Sequence, residues 1–442
     1  MNAAPEYMTN EADVGLPPLQ ASRKAVWNYY RIEFLPNGYP GRRAGDVLQA
    51  HPIYGPYVLS DYMAQYRETG DPVFLDAVMR VADAAADQMS SVGDGALAFL
   101  YSQQGTAVSL RKETFYSGLT QARYVDSFRR LLALPGTERF HEVLSGIVAS
   151  LEVPVEEGGV ARYTESGGLI IEEYPSPIPD CTLNGWTTAT CILGDYARRD
   201  GGDRAWSIFE RSVKGLEELI PLYDVPEIAN SRYRLTGTAS IRVTAVGADV
   251  AVDGCEIEMP GVGVFGAASP GEPAGEALRK GPLRIRSGTT AEFAISLSRL
   301  TWPAPNRIHL DVDASAAGSV EVAIADGRYS PLANHVPVDD YRLVARHALV
   351  SGRNFLDVSI PWECAELVAY PTNFRKTLAG RQFNQYHWIH VDTLGKIVDA
   401  TGSSVLAHYQ QKWKLYPERW PSIPEYQDER IMLERFDAAK HK

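Results

Sequence analysis

The chain has 442 residues, which at ~150 residues per domain allows two or three domains. Hydrophobic residues make up 45% and charged residues 22%, as expected of a globular protein with a large core. The formal net charge of -12 argues against general nucleic-acid binding, because the overall field repels a polyanion, and any bound carboxylate needs a local basic pocket.

The four cysteines, Cys181, Cys191, Cys255 and Cys364, form no CxxC pair and have no histidine at a zinc spacing, which argues against a zinc site or a disulfide framework. The first residues, with Pro5, Glu6, Glu11, Asp13, Pro17 and Pro18, do not read as a signal peptide. No run of ~18 apolar residues suggests a membrane span. A cytoplasmic location, with no membrane partner, is the expectation.

Residues 1–43 read as an N-terminal arm. Beyond it, one design recurs: an apolar-periodic helix, a glycine turn and a second helix. The first copy is Tyr57 to Arg67, the turn Thr69-Gly70-Asp71-Pro72, then Phe74 to Met89, with Asp71 as N-cap and Pro72 as first helical residue. The second is Gln121 to Leu134, Pro135-Gly136-Thr137, then Phe140 to Leu151. The third is Leu183 to Arg199, Gly201-Gly202-Asp203, then Trp206 to Ile220. Its glycine follows the others at a constant spacing: 136 − 70 and 202 − 136 are both 66. The fourth copy, Ile389 to Ala400, Thr401-Gly402-Ser403, then Val405 to Tyr416, comes 200 residues after Gly202, an excess of 134 over the period (200 − 66).

That excess is the length of a domain, and its texture differs. Short alternating runs at 241–246, 291–297, 308–312, 320–324 and 355–360, with a Gly- and Pro-rich turn at 270–275, predict a β-sandwich. The expected fold is mainly α plus β: an (α/α) toroid of helical hairpins with an inserted antiparallel β-sandwich. The toroid's first part would be 44–236, the insert 237–375, and the toroid's last part with a C-terminal tail 376–442. Repeated hairpins stack or close into rings; an irregular helical bundle is the plainer alternative.

Each first helix opens on aromatic, small and polar residues at a similar offset: Tyr54-Gly55-Pro56-Tyr57, Phe115-Tyr116-Ser117-Gly118, Leu183-Asn184-Gly185-Trp186 and Tyr386-His387-Trp388-Ile389-His390. In parallel helices these clusters meet at one rim. Helix N-termini there suit an anionic sugar, and aromatic faces suit a sugar ring. Close helix approach and plain packing account for the same residues without any ligand. Two connectors, Ile171-Glu172-Glu173-Tyr174-Pro175-Ser176-Pro177 and Pro221-Leu222-Tyr223-Asp224 leading to Ser231-Arg232-Tyr233-Arg234, have the makeup of functional loops.

Glu172-Glu173-Tyr174-Pro175, Leu183-Asn184-Gly185, Leu193-Gly194-Asp195-Tyr196, Leu222-Tyr223-Asp224 and Tyr386-His387 with His390 run in the order of the D-glucuronyl C5-epimerase family, as do Phe115-Tyr116-Ser117-Gly118 with Gln121 and Pro52-Ile53 with Tyr57. The chain resembles that family, in a soluble form like the bacterial ones, over about 50–236 and 380–416. The resemblance implies a toroid with a sandwich, a uronic-acid-containing glycan as partner and no organic cofactor. Glu173 and Tyr174 match the family's catalytic Glu-Tyr pair, Tyr386 the tyrosine of its Tyr-His motif, and Tyr233 a third catalytic tyrosine. The family's arginine three residues after that tyrosine is Thr236 here, so Arg232 or Arg234 is the expected substitute. The insert also lies after the first helices, where the animal enzymes carry their sandwich before them.

Inverting C5 of a uronate requires one proton removed beside a carboxylate and another delivered to the opposite face. Tyr174 and Tyr386 are the expected opposed pair, Glu173 tunes or relays, Tyr233 supports, and Arg232 or Arg234 neutralises the carboxylate. Asn184, Tyr116, Gln121, His387, His390 and Tyr57 complete the expected substrate contacts. His387 and His390 with Asp392 or Glu173 could also ligate a metal, but hydrogen bonding to substrate is the preferred reading, so no metal is expected. A polysaccharide lyase, which begins with the same proton removal, and a non-catalytic glycan-binding protein are the alternatives. The insert is expected to support folding or position substrate, its loops at 302–306 or 328–330 closing over the cleft or forming a homodimer contact.

Overall fold

The computed structural model describes residues 14–101, 114–266, 281–325, 341–361, 364 and 385–423. The turn at 270–275, the loop at 328–330, the 372–375 end of the insert and the C-terminal tail beyond 423 fall outside the described residues.

The chain is mixed α and β, with several antiparallel sheets. Helix α1 (Lys24–Tyr30) leads into a small sheet of β1 (Glu33–Phe34), β2 (Pro40–Ala44) and β3 (Val47–Ala50). From the segment before α2, Leu16, Leu19, Trp27, Ile32, Phe34 and Tyr39 are buried in the same apolar core as the helices that follow. Then come α2 (Tyr54–Thr69) and α3 (Pro72–Asp87), the hairpin β4 (Met89–Gly93) and β5 (Ala96–Phe99), α4 (Gly118–Leu131) and α5 (His141–Ser150). The hairpin β6 (Ala161–Tyr163) and β7 (Leu169–Ile171) precedes α6 (Leu183–Arg199) and α7 (Gly202–Leu219), and the short pair β8 (Asp224–Val225) and β9 (Asn230–Ser231) follows.

The repeat is visible in the backbone. Asp71 caps α3 by accepting a hydrogen bond from the Val73 amide at 3.0 Å, with Pro72 as the first helical residue. Gly70, Gly136, Gly202 and Gly402 all have φ between 60° and 74°, the left-handed turn that glycine adopts without strain.

From Thr236 the chain becomes β: β10 (Thr236–Val246), β11 (Val250–Met259), β12 (Gly263–Gly266), β13 (Leu283–Ile285), β14 (Thr290–Ser298), β15 (Arg307–Ala314), β16 (Gly318–Ala325), β17 (Tyr341–Leu349) and β18 (Gly352–Ser359). One sheet runs β14-β10-β16-β17 and a second β12-β11-β15-β18, with β13 on β11. Residues from both sheets, including Ile241, Val322 and Leu297 from the first and Val252, Ile308 and Val358 from the second, share one buried core.

The chain then returns to helix with α8 (Gln385–Thr401) and α9 (Ser404–Leu415). Each first helix packs on its partner, and the first helices also pack on one another in the row α2–α4–α6–α8. No helix among the described residues is long and apolar enough to cross a membrane.

Candidate active site

The site is built on the connector between β7 and α6, and Glu172 holds that connector in place. Its side chain is fully buried, receives the Arg162 Nε at 2.9 Å and accepts from the Cys181 amide at 3.0 Å. Arg162 also donates to the Ser176 carbonyl. Burial raises the Glu172 pKa, against the pull of Arg162. On the other side the Gly118 amide donates to the Glu172 carbonyl at 3.0 Å, and a Cβ at residue 118 would come within 2.7 Å of that oxygen. The connector's far end is tied to the β half: Leu183 N donates to Tyr233 O at 2.8 Å, Leu235 N donates to Asp180 O at 3.1 Å, and Ile178 is buried in the core shared by the two sheets.

So held, Glu173 is 6% exposed and lies over the first turn of α6. Burial pushes its carboxyl up to about 7, Asp180 adds to the rise, and a hydrogen bond from Tyr174 and the charge of Arg123 oppose it. Among the described residues its Oε2 has no hydrogen-bond partner, and neither has the buried Asn184 Oδ1 next door. Burial holds Tyr174 well above the ordinary phenol range, and the charges of Glu173, Tyr233 and Tyr101 act in the same direction.

A second group of phenols lies close enough to act on the first. Tyr233, just past β9, and Tyr386, in the first turn of α8, have ring centroids 4.8 Å apart. Their hydroxyls hydrogen-bond, with Tyr233 favouring the Tyr386 phenolate, although burial and Glu173 raise both pKa values. Tyr57, in the first turn of α2, completes the group. Its ring lies 5.6 Å from that of Tyr30, its hydroxyl accepts from Tyr30, and its pKa feels both Glu173 and Arg123. Thus Glu173, Tyr174, Tyr233, Tyr386 and Tyr57, separated by up to 329 positions (386 − 57) in the chain, act on one another electrostatically.

Other expected contacts are committed elsewhere. Gln121 donates to Leu97 O and Ser150 Oγ, both at 2.9 Å, and accepts from Phe99 N at 3.2 Å. Tyr116 donates to Ser150 O at 2.7 Å. Both rings of His387 and His390 are fully buried. His387 spans Ser231 Oγ at 2.9 Å and Trp413 O at 2.9 Å, and His390 Nδ1 shares the same Ser231 hydroxyl at 2.8 Å. These two histidines pin β9 to α8 and α9; burial holds both pKa values low, that of His387 at about 4. Gln121, Tyr116 and His387, expected as substrate contacts, thus each have internal hydrogen-bond partners. Among the described residues no group of three His, Cys, Asp or Glu side chains could hold a metal.

Neither expected arginine offers a free fork. Arg232 is wholly enclosed, and Arg234 pairs with Asp180 at 3.3 Å. The cation that acts on Glu173 and Tyr57 is Arg123 of α4, its guanidinium carbon 5.9 Å from the Tyr57 ring. A sequence signal for it existed: 123 − 57 is 66, so Arg123 occupies the place in the second repeat that Tyr57 holds in the first. Tyr101 was also missed. It stacks on Phe115 at 5.1 Å, and no helical or strand periodicity marks it.

The site thus joins a buried glutamate to several partly buried phenols on a helical scaffold. Residues 94–248 match the family model described as D-glucuronyl C5-epimerase C-terminus. The match bears out the family resemblance drawn from the motifs: over that stretch, which contains Arg123, Glu173, Tyr174 and Tyr233, the chain has the sequence pattern of this isomerase family. The chain is also 30% identical over 92 residues to the uncharacterized protein MJ1128 of Methanocaldococcus jannaschii. That similarity covers 20% of this chain and 30% of the archaeal protein's length.

Proposed function

We propose that the protein is a uronyl C5-epimerase, of the D-glucuronate to L-iduronate type, acting within an oligo- or polysaccharide and needing no organic cofactor. The observation that carries this reading is the pairing of the phenols: Tyr174 with Glu173 and Tyr386 with Tyr233, in one partly buried group. Two proton-carrying pairs are what inversion at a carbon requires, one for each face of the ring. A phenol held neutral by burial is a proton donor at neutral pH and a strong base once deprotonated. Glu173 accepts a hydrogen bond from Tyr174 and so orients its phenol, and Tyr386 is backed by Tyr233. The substrate ring lies between the pairs in this reading, with Tyr57 and Asn184 at its edges.

The helical row closes, in the same reading, into an (α/α) toroid of 44–236 and 376–442. The effect of Tyr29 and Tyr57, from the start of the chain, on Tyr386 supports that closure. Residues 237–375 form a β-sandwich that grips the active-site connector at Ile178 and takes no part in the chemistry.

The test is incubation with a broad panel of uronic-acid oligosaccharides in heavy water. An epimerase exchanges the C5 hydrogen with solvent and leaves the chain intact. Cleavage with formation of an unsaturated uronate that absorbs in the ultraviolet would replace epimerase with lyase, and binding without either would leave a glycan-binding protein. Tyr174→Phe and Tyr386→Phe should each lower exchange ~100- to 10,000-fold, the usual contribution of a general acid or base, with binding changed only a few-fold. Two active variants would remove both tyrosines from the mechanism.

A further inference from the structure

We propose that Arg123 anchors the substrate's carboxylate and makes the site selective for an acidic sugar over a neutral one; this role rests on the uronate reading of the site. Arg123 projects from α4 beside Tyr57, and its charge acts on both Glu173 and Tyr57. Its Nε is buried without a hydrogen-bond partner, and among the described residues Arg123 makes no ion pair. The neighbouring cations are engaged. Arg162 is held by Glu172 and Ser176, Arg234 by Asp180, and Arg42 bonds to Tyr54. Thr236 carries no charge and donates its hydroxyl to Ser298 at 2.8 Å.

A buried guanidinium donor without a partner costs stability unless a ligand supplies the acceptor. The planar fork of arginine fits a carboxylate bidentately. In a chain of net charge -12, an anionic sugar needs such a local cation to enter at all. The chemistry needs it as well. Removing the C5 proton moves charge onto the carboxylate, and a fixed guanidinium stabilises that dianion as it forms. Arg123 is thus a recognition residue that also stabilises the charge formed in the reaction.

The experiment measures binding by calorimetry for a uronic-acid oligosaccharide and for its carboxyl-reduced, neutral counterpart, with wild type, Arg123→Gln and Arg123→Lys. Wild type should prefer the uronate. Arg123→Gln should lose about 10- to 100-fold in uronate affinity, the worth of a hydrogen bond to a charged group, with the neutral sugar bound as before and the melting curve cooperative. Equal selectivity in Arg123→Gln and wild type overturns the proposal. If Arg123→Gln does not fold, Arg123→Lys decides, since it keeps the charge and loses the fork: a several-fold loss for the uronate alone supports the anchor, and an equal loss for both sugars, or none, overturns it. A wild type that cleaves the glycan chain while Arg123→Gln loses selectivity refutes the epimerase reading and leaves the anchor standing. A wild type that binds no uronate refutes both.

Discussion

Glu173 fills the space that a side chain on residue 185 would need: a Cβ on Gly185 would lie 2.3 Å from Glu173 Oε2 and 2.8 Å from Glu173 Cβ. Gly185 is the third residue of α6, where glycine costs about 1 kcal/mol of helix stability relative to alanine. Gly185→Ala gains that helix stability but overpacks a buried site, which typically costs ~1–3 kcal/mol, so the melting temperature should fall modestly while the carboxylate is pushed out of its seat. A shift of ~1 Å at a reacting group can cost ~100-fold in rate, and a loss of that order in C5 exchange is the expected result. Normal exchange in this variant would mean that the seat of Glu173 does not matter to the chemistry.

Glu173 should also set a pH dependence. Its folded pKa of about 7 lies above the ordinary 4.5, so the folded state holds the proton that the unfolded chain releases. Its stabilising contribution is complete below the unfolded value and is lost as pH rises through the folded one. Glu173→Gln removes the buried charge, so the variant should melt higher than wild type at pH 8, by up to about 3 kcal/mol for a shift of this size, and should converge on wild type below pH 4.5. Exchange activity should vanish. In wild type it should rise with pH towards neutrality as the carboxylate ionises. A Glu173→Gln protein less stable than wild type at pH 8 would contradict the buried-charge assignment.

The preceding glutamate should behave in the opposite way. Glu172 is buried in an ion pair with Arg162 and also accepts from the Cys181 amide. Glu172→Gln leaves the largely buried Arg162 guanidinium with only the exposed Glu156 carboxylate, 3.7 Å away, and the Ser176 carbonyl, and breaking a buried pair by removing one partner typically costs up to ~3–5 kcal/mol. The expected outcome is a clear drop in melting temperature at pH 8, where Glu173→Gln gains. Two neighbours of one residue type, with opposite effects under one condition, separate the scaffold from the site more sharply than loss of activity does.

The legible part of this protein was what periodicity and motif order encode. The turn glycines at a constant spacing marked the hairpins, and Leu183 to Arg199 was read as the helix that α6 forms. The runs at 241–246 and 308–312 lie within β10 and β15. β11 escaped because Asp253 and Gly254 interrupt its alternation at a bulge in its pairing with β15. The N-terminal segment escaped because Leu16, Trp27 and Tyr39 are buried by tertiary packing and follow no repeat. At the site, Glu173, Tyr174 and Tyr386 stood out in motifs. Sequence could not tell that His387 and Gln121 spend their polar atoms on Ser231, Trp413 and Ser150, or that Arg234 is neutralised by Asp180. Those are questions of which long-range partner arrives first, and local sequence does not record the answer.

The two-sheet half should influence catalysis through Ile178. This residue lies five positions after Glu173 and is 7% exposed in the sheet core, whereas Glu172, six positions before it, is fixed by Arg162. The connector is thus clamped at two points with Glu173 and Tyr174 beside the first. Truncating a buried isoleucine to alanine typically costs ~2–5 kcal/mol. In Ile178→Ala much of that loss should appear locally, as faster hydrogen exchange at the amides of Cys181 and Leu183, which bond to Glu172 and Tyr233. C5 exchange should fall well below the melting temperature, with kcat affected more than KM. The control is Val322→Ala, which opens a cavity in the same core at a fully buried residue on β16. It should lower the melting temperature comparably and leave exchange at Cys181 and Leu183, and the rate at moderate temperature, near wild type. If the two variants lose activity in parallel, Ile178 is simply another core residue, and the sheets support the fold without positioning Glu173.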